Sequence, residues 1–308
     1  MKIAKILKKH KFLVLNLLVL CIFMITAVQF CEEIRVVKET LDTAIQADRA
    51  AGNEENAALT AVEAPEDAWF ADVPLIVHAG GGIEGHTYTN SREALLNSLE
   101  KGACFIEMDL LYTSDGHLVC AHSWDEVYPV KSRPTLETFV ASKVQGKFTP
   151  LTAEDLVEIM KENPQMHLVI DMKPSTKLFS AVEELALLAE KDTSVLDRLI
   201  IQLYEGWEKE PILELYPFAD EQFIFTTYKW EKWDMEIARI CNENNVYVIT
   251  APYGDIPDED AAMLRDLGFV LYEHTVNRLD QAEYALNRGI SGFYTDFLMP
   301  EDLAGLKK

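Results

Sequence analysis

Cysteine is scarce in this 308-residue chain: five occur, at positions 21, 31, 104, 120 and 241. No two of them form a C-x-x-C pair, which excludes the usual structural zinc patterns, and residues so dispersed do not make a disulfide framework. Cys104 and Cys120 fall in apolar, strand-like runs where cysteine serves as a small core residue; an exported chain could pair them, and spacing leaves that open. Positive charge is also short, at 28 Lys and Arg against 51 Asp and Glu. Five of the lysines lie in residues 1–30, which contain no acid, so the remaining chain carries 23 basic residues against 51 acidic ones. A surface of that sign repels phosphate backbones and anionic membrane, so nucleic acid is excluded as a partner.

Long hydrophobic runs are absent except for one. Phe12–Phe30 is broken only by Asn16, Thr26 and Gln29, and Lys2, Lys5, Lys8, Lys9 and Lys11 precede it. Nineteen helical residues span about 28 Å, close to the roughly 30 Å hydrocarbon core of a bilayer. The lysines predict a cytoplasmic N-terminus. A cleaved signal would have a shorter apolar region and small residues at the cut, and Ala27 is followed by Val28, Gln29 and Phe30. The expectation is a single-pass cell-membrane protein: residues 1–31 a basic end and transmembrane helix, 32–70 an extracytoplasmic linker, and 71–308 an extracytoplasmic catalytic domain.

From residue 73 onward, β-rich apolar runs alternate with helical patterns. The runs are Pro74–His78, Cys104–Leu111, His167–Met172, Leu199–Tyr204, Gln222–Thr227, Val246–Ala251, Phe269–Thr275 and Ser291–Thr295. Seven helical patterns lie between them, which predicts an α/β fold of the (β/α)8 TIM-barrel type. A doubly wound open sheet is the competing arrangement, weakened by polar residues at nearly every strand's C-terminal end. Asp115-Gly116 signals a tight turn, with His117–His122 returning from it as a short strand. Ser123–Thr149 reads as an irregular insertion covering the top of the barrel.

Chemistry is expected at those strand ends. Glu107 and Asp109 are two residues apart on one strand and so share a face, and Asp171 ends the next strand. Converging carboxylates are costly unless a cation compensates, and an oxygen-rich set suits Ca2+ or Mg2+ rather than zinc. Salt bridges to Lys173 are the plainer alternative. His78 and His122 end the first strand and the return strand, positions suited to the base and acid that a displacement at phosphorus needs. Lys173 is placed to neutralise a phosphate oxygen, and the backbone N–H groups of Gly80 and Gly81 to receive an anion.

In this order, His78…Gly80, Glu107-Met108-Asp109, Asp115-Gly116, His122 and Asp171-Met172-Lys173 resemble the glycerophosphodiester phosphodiesterase family, a relative of phosphatidylinositol-specific phospholipase C. The likeness runs over about residues 73–298 and includes Asn90, Thr275-Val276-Asn277 and Asp296. It implies metal-assisted cleavage of a small-molecule or lipid-derived phosphodiester. Glu107, Asp109 and Asp171 would hold the cation, His78 and His122 would act as acid and base, and Lys173, Gly80, Gly81 and Asn90 would contact substrate. A hydroxyl vicinal to the phosphate would attack phosphorus, and water would then open the cyclic product. The departures fall on the shell that reads substrate: Ala79 stands where the family has arginine, Tyr88-Thr89-Asn90-Ser91 where it has Pro-Glu-Asn-Thr, and His274 where it has tryptophan. Two alternatives follow: a phospholipase C-like or cell-surface-polymer phosphodiesterase, and a catalytically retired, membrane-tethered phosphoester-binding protein.

Overall fold

Short β-rich runs, buried on both faces, fit a parallel sheet with helices packed against it, here closed into a barrel. That arrangement is present in the structure, a computed structural model that describes Leu59 and residues 61–124, 132–228 and 235–306. The strands are β1 (Leu75–Val77), β2 (Phe105–Tyr112), β3 (Leu118–Cys120), β4 (His167–Met172), β5 (Leu199–Leu203), β6 (Phe223–Thr226), β7 (Val248–Pro252), β8 (Val270–His274) and β9 (Gly292–Thr295). They run in the order β1-β9-β8-β7-β6-β5-β4-β2-β3, and β1 also pairs with β2. Eight parallel strands therefore close into a barrel, with β3 appended antiparallel to β2. The anticipated α/β barrel is the observed one.

The interior changes character along every strand. Ile76, Val169, Ile200, Ile224, Val248 and Tyr272 pack together as an apolar layer. Two residues further along each strand, the side chain returns to the interior as His78, Asp171, Gln202, Thr226, Thr250 and His274. The lower layer makes a dry floor, and the upper one faces the mouth where the chain's chemistry collects.

The base is closed by residues that the sequence pattern assigns to the end of the linker. Ala68 and Phe70 are buried in the same apolar cluster. Trp69 stacks on Phe105 at 5.2 Å and donates its indole N–H to the Glu221 carbonyl at 2.7 Å. Val62 N–H bonds the Leu267 carbonyl at 2.8 Å. The compact unit that holds the barrel begins at Leu59. Aromatic surface at Trp69 and Phe70 is what drives this docking, since leaving it in water would cost about 25 cal/mol per Å².

Within the span Ser123–Thr149, described at 123–124 and 132–149, regular structure replaces the expected irregular cover. It contains a helix at Leu136–Ala141, with Thr135 as its N-cap, and a tight bridge between Val144 and Phe148. Phe139, Val144 and Phe148 pack with Val119 and Ala121 as a separate cluster beside β3. The physical reason is that β3 lies outside the barrel, so its exposed face needs its own cover. Cys104, Cys120 and Cys241 are all free, so the Cys104–Cys120 pair does not form. The expected membrane helix at 12–30 lies outside the described residues; among the described ones, no helix is long and apolar enough to cross a membrane.

Candidate active site

Parallel pairing of β2 with β4 sets Asp109 directly beside Asp171 and Glu107 beside Val169. One carboxylate oxygen from each of Glu107, Asp109 and Asp171 then lies within 4.8 Å of the others, and all three residues are buried. Lys173 Nζ donates to Asp109 Oδ1 at 2.9 Å and sits 3.3 Å from Asp171 Oδ2. Asp171 Oδ1 accepts the Tyr204 hydroxyl at 2.8 Å. Glu107 Oε2 accepts the Ala79 N–H at 2.7 Å, while Glu107 Oε1 is buried with no partner among the described residues. One ammonium cannot serve three carboxylates. Burial, and then the Asp109 charge, push the Glu107 carboxyl well above the usual range. Burial and Asp109 also raise Asp171 against the pull of Lys173. At Asp109 burial opposes ionisation, but Lys173 and the two histidines outweigh it and hold the carboxyl low. An all-oxygen set with an unsatisfied carboxylate oxygen fits a hard divalent cation.

His78 follows β1 immediately. Its Nδ1 is 2.8 Å from Asp296 Oδ1, and its Nε2 is 4.0 Å from Glu107 Oε2. Asn277 fixes Asp296 from the far side, donating from Nδ2 to Asp296 Oδ2 at 2.7 Å and accepting the Asp296 N–H at 2.7 Å. Burial alone would lower the His78 pKa; the hydrogen bond to Asp296 and the charges of Glu107 and Asp109 overcome it and push it up to about 9. His78 is therefore an imidazolium near neutral pH. His122, just beyond β3, lines the same cavity of about 180 Å³. The Tyr88 ring meets both imidazoles, with centroids 4.7 Å from His78 and 4.8 Å from His122.

Six of the nine residues singled out from sequence converge here: His78, His122, Lys173, Glu107, Asp109 and Asp171. Asn90 does not reach the cavity. It is fully buried and grips Asp109 in both directions, donating from Nδ2 to Oδ2 at 2.9 Å and accepting the Asp109 N–H at 2.9 Å. Both of these bonds go to the Asp109 carboxylate and backbone. Gly80 and Gly81 also miss the cavity. The Gly81 N–H is spent on the His78 carbonyl at 2.8 Å, and an added Cβ on Gly80 would meet Met108 Sδ at 3.2 Å. The turn tucks its glycines against the helix that follows, and the Gly81 amide is occupied within the turn. Ala79 is buried at φ +50°, with its N–H given to Glu107.

The rest of the cavity wall was not anticipated. Gln202, Tyr204, Thr226, Tyr228, His274 and Tyr294 all line it. Tyr204 and Tyr228 stack at 4.8 Å, and Tyr294 donates its hydroxyl to Gln202 Oε1 at 2.6 Å. For three of them the signal was available, because Gln202, Thr226 and His274 each stand two residues beyond an inward apolar position, as Asp171 does. Tyr88 gave no such signal; only the loop's path brings it between the histidines.

A model of the glycerophosphoryl diester phosphodiesterase family matches residues 81–299. The chain belongs to that family. His78 lies three residues ahead of the matched span, which contains Glu107, Asp109, His122, Asp171 and Lys173. The chain is 23% identical over 242 residues to a glycerophosphodiester phosphodiesterase of Caldanaerobacter subterraneus subsp. tengcongensis, covering 75% of this chain and 97% of that one. It is 26% identical over 247 residues to the uncharacterized protein YqiK of Bacillus subtilis, covering 75% and 98%. A phosphodiesterase of Oleispira antarctica, solved in complex with the product sn-glycerol-3-phosphate, superposes with a TM-score of 0.60 at 14% identity, over 73% of this chain and 93% of that one. A Parabacteroides distasonis glycerophosphodiester phosphodiesterase gives 0.57 at 17% identity, over 74% and 94%. Likeness at such identities establishes the barrel. The family match establishes the class: this glycerophosphoryl diester phosphodiesterase family member is a phosphoric diester hydrolase.

Proposed function

We propose that the protein hydrolyses small glycerophosphodiester-like substrates, using a divalent cation held by Glu107, Asp109 and Asp171 and acid–base catalysis by His78 and His122. The observation that carries the proposal is the buried carboxylate cluster, with Glu107 Oε1 unpartnered, set 4.0 Å from an imidazolium. Bound there, a cation would screen charge developing on the phosphate oxygens. His78 starts protonated because Asp296 holds its Nδ1, so its Nε2–H is the proton delivered to the departing alkoxide. His122, across Tyr88, takes the proton of the attacking hydroxyl. Lys173 is anchored by Asp109 and Asp171 and presents its charge to a phosphate oxygen. The small cavity favours a compact water-soluble diester over a phospholipase-type lipid, and the Oleispira antarctica relative was solved with sn-glycerol-3-phosphate.

The test is a panel of diesters, glycerophosphocholine among them, with Ca2+, Mg2+ or chelator, beside thermal unfolding in each condition. Cation-dependent release of alcohol and a cation-dependent rise in Tm are expected. Full activity after complete metal removal would refute the cation's role. Binding without turnover would favour the retired, tethered binder. For residues 12–30 we infer a membrane anchor that holds the barrel outside the cytoplasm, supported by an apolar run broken only by Asn16, Thr26 and Gln29 behind five lysines. Carbonate washing of membranes from cells producing the full chain should leave it in the pellet; recovery in the wash would refute the anchor.

A further inference from the structure

The charged groups at the barrel mouth are confined to one side. Lys173 is held by Asp109 and Asp171, and His78 by Asp296, so their strongest interactions are already assigned. On the opposite side, β5 to β8 contribute only neutral polar groups to the cavity: Gln202, Thr226 and His274. Thr226 is nine-tenths buried, it lines the cavity, and its hydroxyl has no hydrogen-bond partner among the described residues. His274 has its Nδ1 fixed by the buried Thr250 hydroxyl at 3.1 Å, which turns Nε2 away from that partner. Gln202 is pinned through Oε1 by the Tyr294 hydroxyl, leaving its amide –NH2 over for the cavity.

We infer that Thr226 and His274 are specificity contacts that bind a hydroxyl group on the alcohol of the phosphodiester, with Gln202 as a supporting donor. This inference rests on the hydrolase reading of the site. A hydroxyl both donates and accepts one hydrogen bond. A threonine hydroxyl and an imidazole nitrogen can answer both requirements in either imidazole tautomer. A phosphate oxygen only accepts, and it would be drawn to the charged side. Burial, reinforced by the His78 and Lys173 charges, pushes the His274 pKa down to about 4, so the ring is a neutral partner near pH 7. An alkyl group there would leave the Thr226 hydroxyl unsatisfied and strip water from His274, which is how a site built for a hydroxyl rejects an analogue lacking it.

Paired substrates test this: glycerophosphocholine, and 2-hydroxypropylphosphocholine, in which the alcohol keeps its length and the attacking hydroxyl vicinal to the phosphate and loses only its terminal hydroxyl. The wild type should favour glycerophosphocholine in kcat/KM by about 100-fold or more. Thr226→Val and His274→Phe should each cut that ratio about tenfold, and calorimetry should show the same narrowing between sn-glycerol 3-phosphate and n-propyl phosphate. If His274→Phe does not fold, Thr226→Val, which conserves shape, decides alone together with His274→Gln. Unchanged ratios in the variants, or a wild type that turns over both diesters equally, would overturn the specificity role while leaving the hydrolase reading intact. A wild type that cleaves neither diester under any cation would overturn both.

Discussion

Replacing Asn90 by alanine should destabilise the protein and loosen the carboxylate cluster together, because one side chain performs both tasks. Asn90 satisfies the backbone N–H of Asp109 and its Oδ2, each at 2.9 Å, in a site with no solvent access. Leaving a buried polar group unpaired costs about 1–3 kcal/mol, and two are orphaned here, one of them charged. Asn90 also stands at φ +46°, a region that asparagine tolerates and alanine resists by roughly 1–2 kcal/mol. Allowing for some water entry, the total for Asn90→Ala is about 3–5 kcal/mol. Asn90→Gly separates the two causes, since it relieves the backbone and keeps the side-chain loss, and about 2–4 kcal/mol should remain. Urea unfolding gives the stability of each variant, and titration with Ca2+ or Mg2+ followed by thermal shift gives cation affinity. Both variants should lose affinity, since Asp109 is no longer oriented. A cost below about 0.5 kcal/mol for Asn90→Gly, with unchanged cation affinity, would refute the orienting role; that is the scatter expected of an unremarkable surface change.

Three further outcomes follow from the same geometry. Alanine at His78 or at His122 should lower kcat by about 10²–10⁴-fold, with the folded state confirmed by unfolding; loss of less than tenfold in either would remove that residue from acid–base duty. Asp296→Asn should move the alkaline limb of the pH–rate profile downward, because in the proposed mechanism His78 acts while protonated and its hydrogen bond to the Asp296 carboxylate raises its pKa; a limb that stays in place would contradict the assignment. The linked stability of the His78–Asp296 pair is fully present below the unfolded histidine pKa of about 6.5 and is lost as pH rises through about 9, so the wild type should outlast Asp296→Asn most clearly in acid. Glu107→Gln should abolish cation-dependent stabilisation, which in the wild type reaches about 2.7 kcal/mol at 100 times Kd; an equal rise in Tm in the variant would place the cation elsewhere.

Much of the site was legible because β-strands repeat every two residues. Glu107 and Asp109 had to share a face, and an ionisable pair inside a barrel strand is costly enough to mark itself. The barrel was legible for the related reason that fully buried parallel strands read as apolar runs separated by helix patterns. The roles of Asn90, Gly80 and Gly81 were not, because motif membership says that a residue is needed and not which way it faces. Only the packed turn shows Asn90 aimed at Asp109 and the Gly81 N–H bonded to His78. The docking of Trp69 and Phe70 under the barrel was hidden for the same reason, since two aromatics after a polar stretch carry no periodicity.

The sequence alone determined the barrel, the carboxylate–histidine–lysine set and the reaction class, all of which depend on local alternation and residue type. Tertiary structure decided which groups are spent on one another and which face the cavity. The pairing of Asp296 with His78, 218 residues away, is what holds the His78 ring from its Nδ1 side. Closure of the barrel brings Gln202, Thr226 and His274 opposite the carboxylates. Such contacts between residues distant in the chain arise only when the sheet closes, so no spacing along the chain encodes them.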